Sequence, residues 1–236
     1  MLLGRITKHV KEQNWFAVAL DFFIVVVGIL IAFQITSWNE TRQSHAAEYA
    51  LTERLTIEFT TLRKELEKRL ERGEQLVRKT ADLITLIREG VEPKNEEEVR
   101  TLLLLASRYN AAVAPPTSFS DALQSGHVSS LRNESLRDAL NAYVISTDWW
   151  RTVEGPAEPQ VDPNSKLNQA TTWSVHQSLA EAIRRQVIDY DWVQVSDAES
   201  ELAVIYRQQM LQAEGYRLEL IEVDNVLRAL NDASRP

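Results

Sequence analysis

An all-α fold is predicted for this chain by three observations. Only 7 Gly and 7 Pro occur in 236 residues, too few to punctuate an all-β architecture. Apolar residues return at steps of three and four through most of the length. One early stretch is apolar enough, for long enough, to be a membrane-crossing helix. Together they predict an N-terminal transmembrane helix that continues into a long stalk helix, followed by an extramembrane helical bundle containing a long antiparallel helix pair. The divisions are a basic flank at 1–14, a span at 15–38 and the bundle at 39–236.

The span comes first. Trp15 to Ile35 is 21 residues, about 31 Å as a helix at ~1.5 Å per residue and close to the hydrocarbon thickness of a bilayer. Trp15 and Trp38 bracket it as membrane-interface anchors, with their amphipathic rings at headgroup level. A buried core helix is disfavoured because so long an uncharged run is the spanning signal. A cleaved signal peptide is disfavoured because the apolar part exceeds a signal core, and the nearest small-residue site, Ser44-His45-Ala46, lies well past its end.

Arg5, Lys8 and Lys11 precede the span, whereas only Arg42 and Arg54 occur in the twenty residues after it, which predicts a cytoplasmic N-terminus. With those three bases against Glu12 in the flank and Asp21 in the span, the net charge of −8 leaves −9 on residues 39–236. So acidic a body disfavours nucleic-acid binding. The whole-chain mean hydropathy of −0.27 hides this contrast between span and body.

Asp21 is the unusual residue within the span. One reading places it near the cytoplasmic headgroups, six residues inside Trp15. The other joins it to Ala17, Val25, Gly28, Ala32 and Thr36, which share a helix face. Gly28 and Ala32 form a small-xxx-small pair, the type that lets two backbones approach closely. The face is a candidate helix-helix interaction surface, for a homo-oligomer or for another membrane protein.

The run GILIAFQITSWNE, Gly28 to Glu40, with an acid seven positions before the glycine, resembles an uncharacterised bacterial family of single-span membrane proteins, a domain of unknown function. SFSDALQSGHVSSLRNESLRDALNAYV, Ser118 to Val144, resembles that family's second recurrent segment. Asp21 stands where the family usually has Glu, and Thr36-Ser37 where Asn-Asn is common. The resemblance implies an inner-membrane, single-pass protein with its C-terminal domain in the periplasm. It implies no catalytic residue.

Beyond Asn39 the stalk enters an amphipathic run, Leu51, Leu55, Phe59, Leu62, Leu66, Leu70, Leu76, Thr80, Leu83 and Ile87, ended by Gly90 and Pro93. The charges between these positions read as a solvated face. A second helix starts at Asn95 as cap, with Glu96, Glu97 and Glu98 in its first turn, and Pro115-Pro116 stops it. Thr117 or Ser118 is the expected cap of a short helix that ends at Gly126, and Asn133 caps the next. Residues 155–166, rich in proline, form a loop; a helix is expected from about Leu167 to Arg185, and DYDWVQV is read as a loop.

Ser196-Asp-Ala-Glu199 reads as a capping box. The last helix carries Leu202, Tyr206, Gln209, Ala213, Tyr216, Leu220, Val223, Leu227 and Leu230 at alternating steps of four and three, a coiled-coil seam with one polar position at Gln209. Residues 47–89 are the only partner of matching length, so the two are predicted to pack antiparallel.

Chemistry-bearing motifs are scarce. Cysteine is absent, which excludes disulfides and thiolate sites. His9, His45, His127 and His176 lack metal-ligand spacing, and no HExxH, GxSxG, Walker or GxGxxG sequence occurs. No metal, cofactor or catalytic residue is therefore assigned, and no enzymatic activity. His127 reads as a turn residue. Asp148-Trp149-Trp150-Arg151 reads as core and contact positions rather than the wall of a ligand site.

Two functional classes follow. The favoured one is a membrane-anchored structural or interaction protein, with the lipid bilayer and itself or another membrane complex as partners. The alternative is an extracytoplasmic ligand-sensing bundle, whose signal would have to leave through a partner's helix.

Overall fold

The structure, a computed structural model, describes residues 15–90, 92–108, 113–154, 164–175 and 186–233, with backbone alone at 15–18 and 149–154. In chain order the elements are α1 (Trp15–Glu89), α2 (Glu96–Ala106), α3 (Thr117–Gln124), α4 (Glu134–Glu154), α5 (Lys166–Gln169), β1 (Thr171–Trp173), β2 (Val187–Tyr190), α6 (Trp192–Asp197) and α7 (Glu199–Ala233). The protein is nearly all-α, as the sequence predicts. Two compact units divide at Leu51 and Thr52, within α1. The stalk residues 39–51 thus group with the apolar segment.

In the second unit, α7 packs antiparallel on α1, as predicted from their matching lengths. Going forward along α1 and backward along α7, Arg63 meets Asp224 (2.7 Å), Glu74 meets Arg217 (2.9 Å), Thr80 meets Gln209 (2.7 Å) and Arg88 meets Glu199 (2.7 Å). Some charges assigned to a solvated face therefore tie the pair together. The buried stripe of α7 is wider than the seam, adding Ile205, Gln212, Val226 and Ala229, because α7 also packs against α4. A helix with two neighbours buries more of its circumference than one half of a helix pair does.

One part of the core joins Leu83 and Ile87 of α1 to Val99 and Leu103 of α2, Val187 of β2 and Leu202 of α7. Elsewhere Phe59, Phe119 and Tyr143 bring α1, α3 and α4 together, each ring meeting the other two edge-on at 5.3–5.7 Å. The Tyr143 hydroxyl donates to Glu219 Oε1 at 3.0 Å, so the buried ring keeps its polar end satisfied.

Gln209, almost fully buried, accepts from Thr80 Oγ1 through Oε1 and donates through Nε2 to carbonyls at and just after the C-terminal end of α2, Ala106 at 3.4 Å and Arg108 at 3.2 Å. The polar position in the seam exists because carbonyls at a helix C-terminus have no partner within the helix.

Caps follow the sequence in three places and depart from it in two. Asn95 and Asn133 accept from Glu98 and Leu136 backbone N–H groups, and Gly126 takes a left-handed φ of 76°. For α3, neither Thr117 nor Ser118 is the cap: Pro116 holds that position, and Glu58 of α1 accepts from Ser118 N and Oγ at 2.9 and 2.7 Å. The capping box at Ser196 does not form. Asp191 caps α6 through Val193 N and Gln194 N, and Ser196 Oγ donates to Trp192 O within that helix.

Glu201 supplies a further cap from a distance, accepting from Ser165 Oγ, Lys166 N and Leu167 N at the start of α5. Burial pushes its carboxyl pKa up, but these three hydrogen bonds and the Lys166 charge outweigh burial and hold it below the usual glutamate value.

The expected helix from Leu167 to Arg185 is corrected. It stops at Gln169, and Thr171–Trp173 pairs antiparallel with Val187–Tyr190, partnering Thr171 with Tyr190 and Trp173 with Val187. Residues 176–185 lie outside the described set. DYDWVQV is strand end and helix α6 rather than loop.

Candidate functional site: the uncovered apolar segment of α1

From Ala19 to Trp38, α1 exposes apolar side chains on every side. Phe22 is 71% exposed and Phe33 70%, and Leu20, Phe23, Ile24, Ile29, Leu30, Ile31 and Ile35 are all exposed as well. Among the described residues this is the one helix long and apolar enough to cross a membrane, and nothing of its apolar window is buried. Helix is the form this segment takes because each N–H finds a carbonyl four residues back, leaving no backbone group in need of water.

The helix places Asp21, Val25, Gly28, Ala32 and Thr36 on one face, as their spacing requires. Each is exposed, and a Cβ added at Gly28 would meet nothing within 4 Å. The side chains of Trp15 and Ala17 and the basic flank 1–14 lie outside the described residues. Thr36 Oγ1 donates to Ala32 O at 3.0 Å, so its proton is spent within its own helix rather than offered to a partner.

The face extends further than the sequence reading took it. Asn39, Gln43, Ala47 and Ala50 continue it with the same steps of four, four and three. The signal is the spacing itself, an eleven-residue repeat that keeps a nearly straight stripe on a helix.

No family model matches the chain, and neither does any curated protein or solved structure.

At the C-terminal end of the segment Trp38 is 65% exposed, and the Arg42 guanidinium carbon lies 5.8 Å from its ring centroid, a cation–π contact. Sequence reasoning singled out Trp38 but not Arg42. The i,i+4 spacing of a cation and an aromatic ring was the available signal.

Among the described residues the remaining candidates do not assemble into a reactive site. Ser125 Oγ lies 2.6 Å from His127 Nδ1 in an exposed turn, and the serine hydroxyl also donates to Asp121 O at 2.7 Å. The serine hydroxyl is thus shared between a backbone carbonyl and the imidazole within one exposed turn. No group of three His, Cys, Asp or Glu able to hold a metal occurs among the described residues. The Trp149, Trp150 and Arg151 side chains lie outside those described.

Proposed function

We propose that the protein is a membrane-anchored structural or interaction protein. Residues 15–38 span a bacterial inner membrane, residues 1–14 lie in the cytoplasm, and residues 39–236 form a periplasmic helical domain. The observation that carries this reading is the uncovered apolar segment of α1. Ten large apolar side chains between Leu20 and Ile35 are about half exposed or more. At ~1.5–3 kcal/mol for covering each completely, on the order of 10 kcal/mol is left unrealised in water, comparable with the whole stability of a folded domain. Lipid is the medium that covers all sides of a single helix at once.

The basic residues before the span support the orientation, and the likeness of Gly28–Glu40 and Ser118–Val144 to the bacterial single-span family supports the compartment. The face from Ala17 to Thr36, prolonged to Ala50, is the surface through which the protein joins a second copy or another membrane complex. Its small residues allow close backbone approach along one line while the larger side chains face lipid.

Two experiments test the reading. Protease added to the periplasmic side of intact inner membrane should digest residues 39–236, and protection there would refute the orientation. Gly28→Leu with Ala32→Leu should abolish in-membrane cross-linking and co-purification, and unchanged cross-linking would remove the interaction role from this face.

A further inference from the structure

Arg42 stands one helical turn beyond Trp38, and among the described residues no ion pair joins it to a carboxylate. Its neighbours at i−4, i−3, i+3 and i+4 are Trp38, Asn39, His45 and Ala46, so the helix offers it no acid at the spacings where side chains meet. Arg63, Arg88, Arg100 and Arg217 each reach a glutamate or aspartate. Arg42 is exposed, and its guanidinium lies over the Trp38 ring.

We propose that Trp38 and Arg42 together bind the phosphate of a membrane phospholipid and thereby fix the depth of α1 in the bilayer. The proposal rests on the membrane reading above. A guanidinium carries five N–H donors in a planar fork, so a contact with an indole still leaves donors for two parallel hydrogen bonds to phosphate oxygens. Four residues of helix raise Arg42 ~6 Å above Trp38. With the indole in the interfacial layer, that rise carries the cation outward to the lipid phosphates. Trp38 ends the apolar run, so the phosphate at this height belongs to a lipid rather than to a free anion.

The absence of cysteine allows a single spin label to be placed anywhere in the full chain. Labels on Ile24→Cys and Gln34→Cys, in vesicles of phosphatidylethanolamine and phosphatidylglycerol, report depth from relative accessibility to oxygen and a nickel chelate. The label at 24 should be deep in every variant. Arg42→Glu should move the label at 34 toward the headgroups by ~1.5–3 Å, one to two residues of helical rise. Arg42→Ala should move it less, and Arg42→Lys should restore most of the depth.

Arg54→Ala, a cation of the same stretch without a tryptophan at i−4, should leave the label unmoved. An unchanged depth in Arg42→Glu, or an equal shift in Arg54→Ala, overturns the phosphate site. Water access at position 24 in the unaltered protein overturns the membrane reading itself, a result distinct from either.

Discussion

Phe33 and Phe59 lie on the same helix, yet 70% of one is exposed and none of the other. Around Phe33 the apolar residues form a continuous run pointing in all directions. Around Phe59 they fall on one side, Leu55, Leu62 and Leu66 being buried with it while Glu, Lys and Arg fill the outer face. Helix formation does not separate the two regions; the angular distribution of apolar residues does. A one-sided stripe is satisfied by other helices of the same chain, whereas an all-round girdle needs a surrounding medium.

The sharpest test of this contrast is truncation of Phe59. Phe59→Ala removes the ring that meets Phe119 and Tyr143 and should destabilise the bundle by ~3–5 kcal/mol, read as a lower denaturation midpoint of the full chain in detergent. A loss below ~1 kcal/mol would mean that the aromatic cluster is not a centre of the fold.

Next in size is the polar layer. Gln209→Leu keeps the seam apolar, as simple heptad logic would prefer, but strands the Thr80 hydroxyl and the Ala106 and Arg108 carbonyls. The expected loss is ~1–3 kcal/mol. Adding Thr80→Val removes one stranded group, so the double variant should be less destabilised than the sum of the singles. Strict additivity in a double-mutant cycle would count against the contact.

A pH effect separates Glu201 from the surface acids. Its carboxyl sits below the usual value in the folded state, so its contribution is fully present above the unfolded glutamate pKa of ~4.3. That contribution is lost as pH falls through the lower folded value. Glu201→Gln should therefore lower stability at neutral pH and make the acid limb of the stability profile shallower. Parallel acid limbs for the variant and the unaltered protein would show that the carboxylate does not hold the start of α5.

These tests also bear on what could be read from the sequence. Repeating steps of three and four predicted the α1–α7 pairing and its direction, and Asn95, Asn133 and Gly126 marked real helix ends, because those signals depend on residues a few positions apart. Gln209 was visible as a polar interruption, but its role was not, since its partners Thr80 and Ala106 lie 129 and 103 residues away. Glu58 and Glu201 cap helices far off in the chain, a device with no local spacing. The strands were missed because pieces of three and four residues draw their stability from pairing across the chain, although the β-branched and aromatic Thr171-Thr172-Trp173 was a readable hint. At the apolar segment the stripe was legible to Thr36 and its length was not, because Asn39, Gln43, Ala47 and Ala50 continue its spacing beyond the apolar run.

A smaller effect is expected where the bundle is tied by exposed charge. Arg217→Gln removes the 2.9 Å pair with Glu74 and the 2.8 Å pair with Glu214. Both are half exposed, so the loss should be within ~0.2–1 kcal/mol and should fade with added salt. A salt-independent loss would mean that Arg217 acts through packing of its stem instead.

The smallest expected change is the one that completes the contrast. Phe33→Ala deletes the same ring as Phe59→Ala, from the same helix, but the ring touches so little of the folded chain that the bundle's denaturation midpoint in detergent should not move measurably. The site of its effect should instead be the bilayer. At ~25 cal/mol for each Å² of apolar surface withdrawn from water, a large exposed ring contributes substantially to partitioning into lipid, so the variant should be extracted from vesicles by milder conditions. A lower midpoint for Phe33→Ala in detergent would show that the segment is covered by protein after all. Repeating that measurement over a range of protein concentrations decides the source: a concentration-dependent loss points to a second copy, and a concentration-independent one to the chain's own bundle.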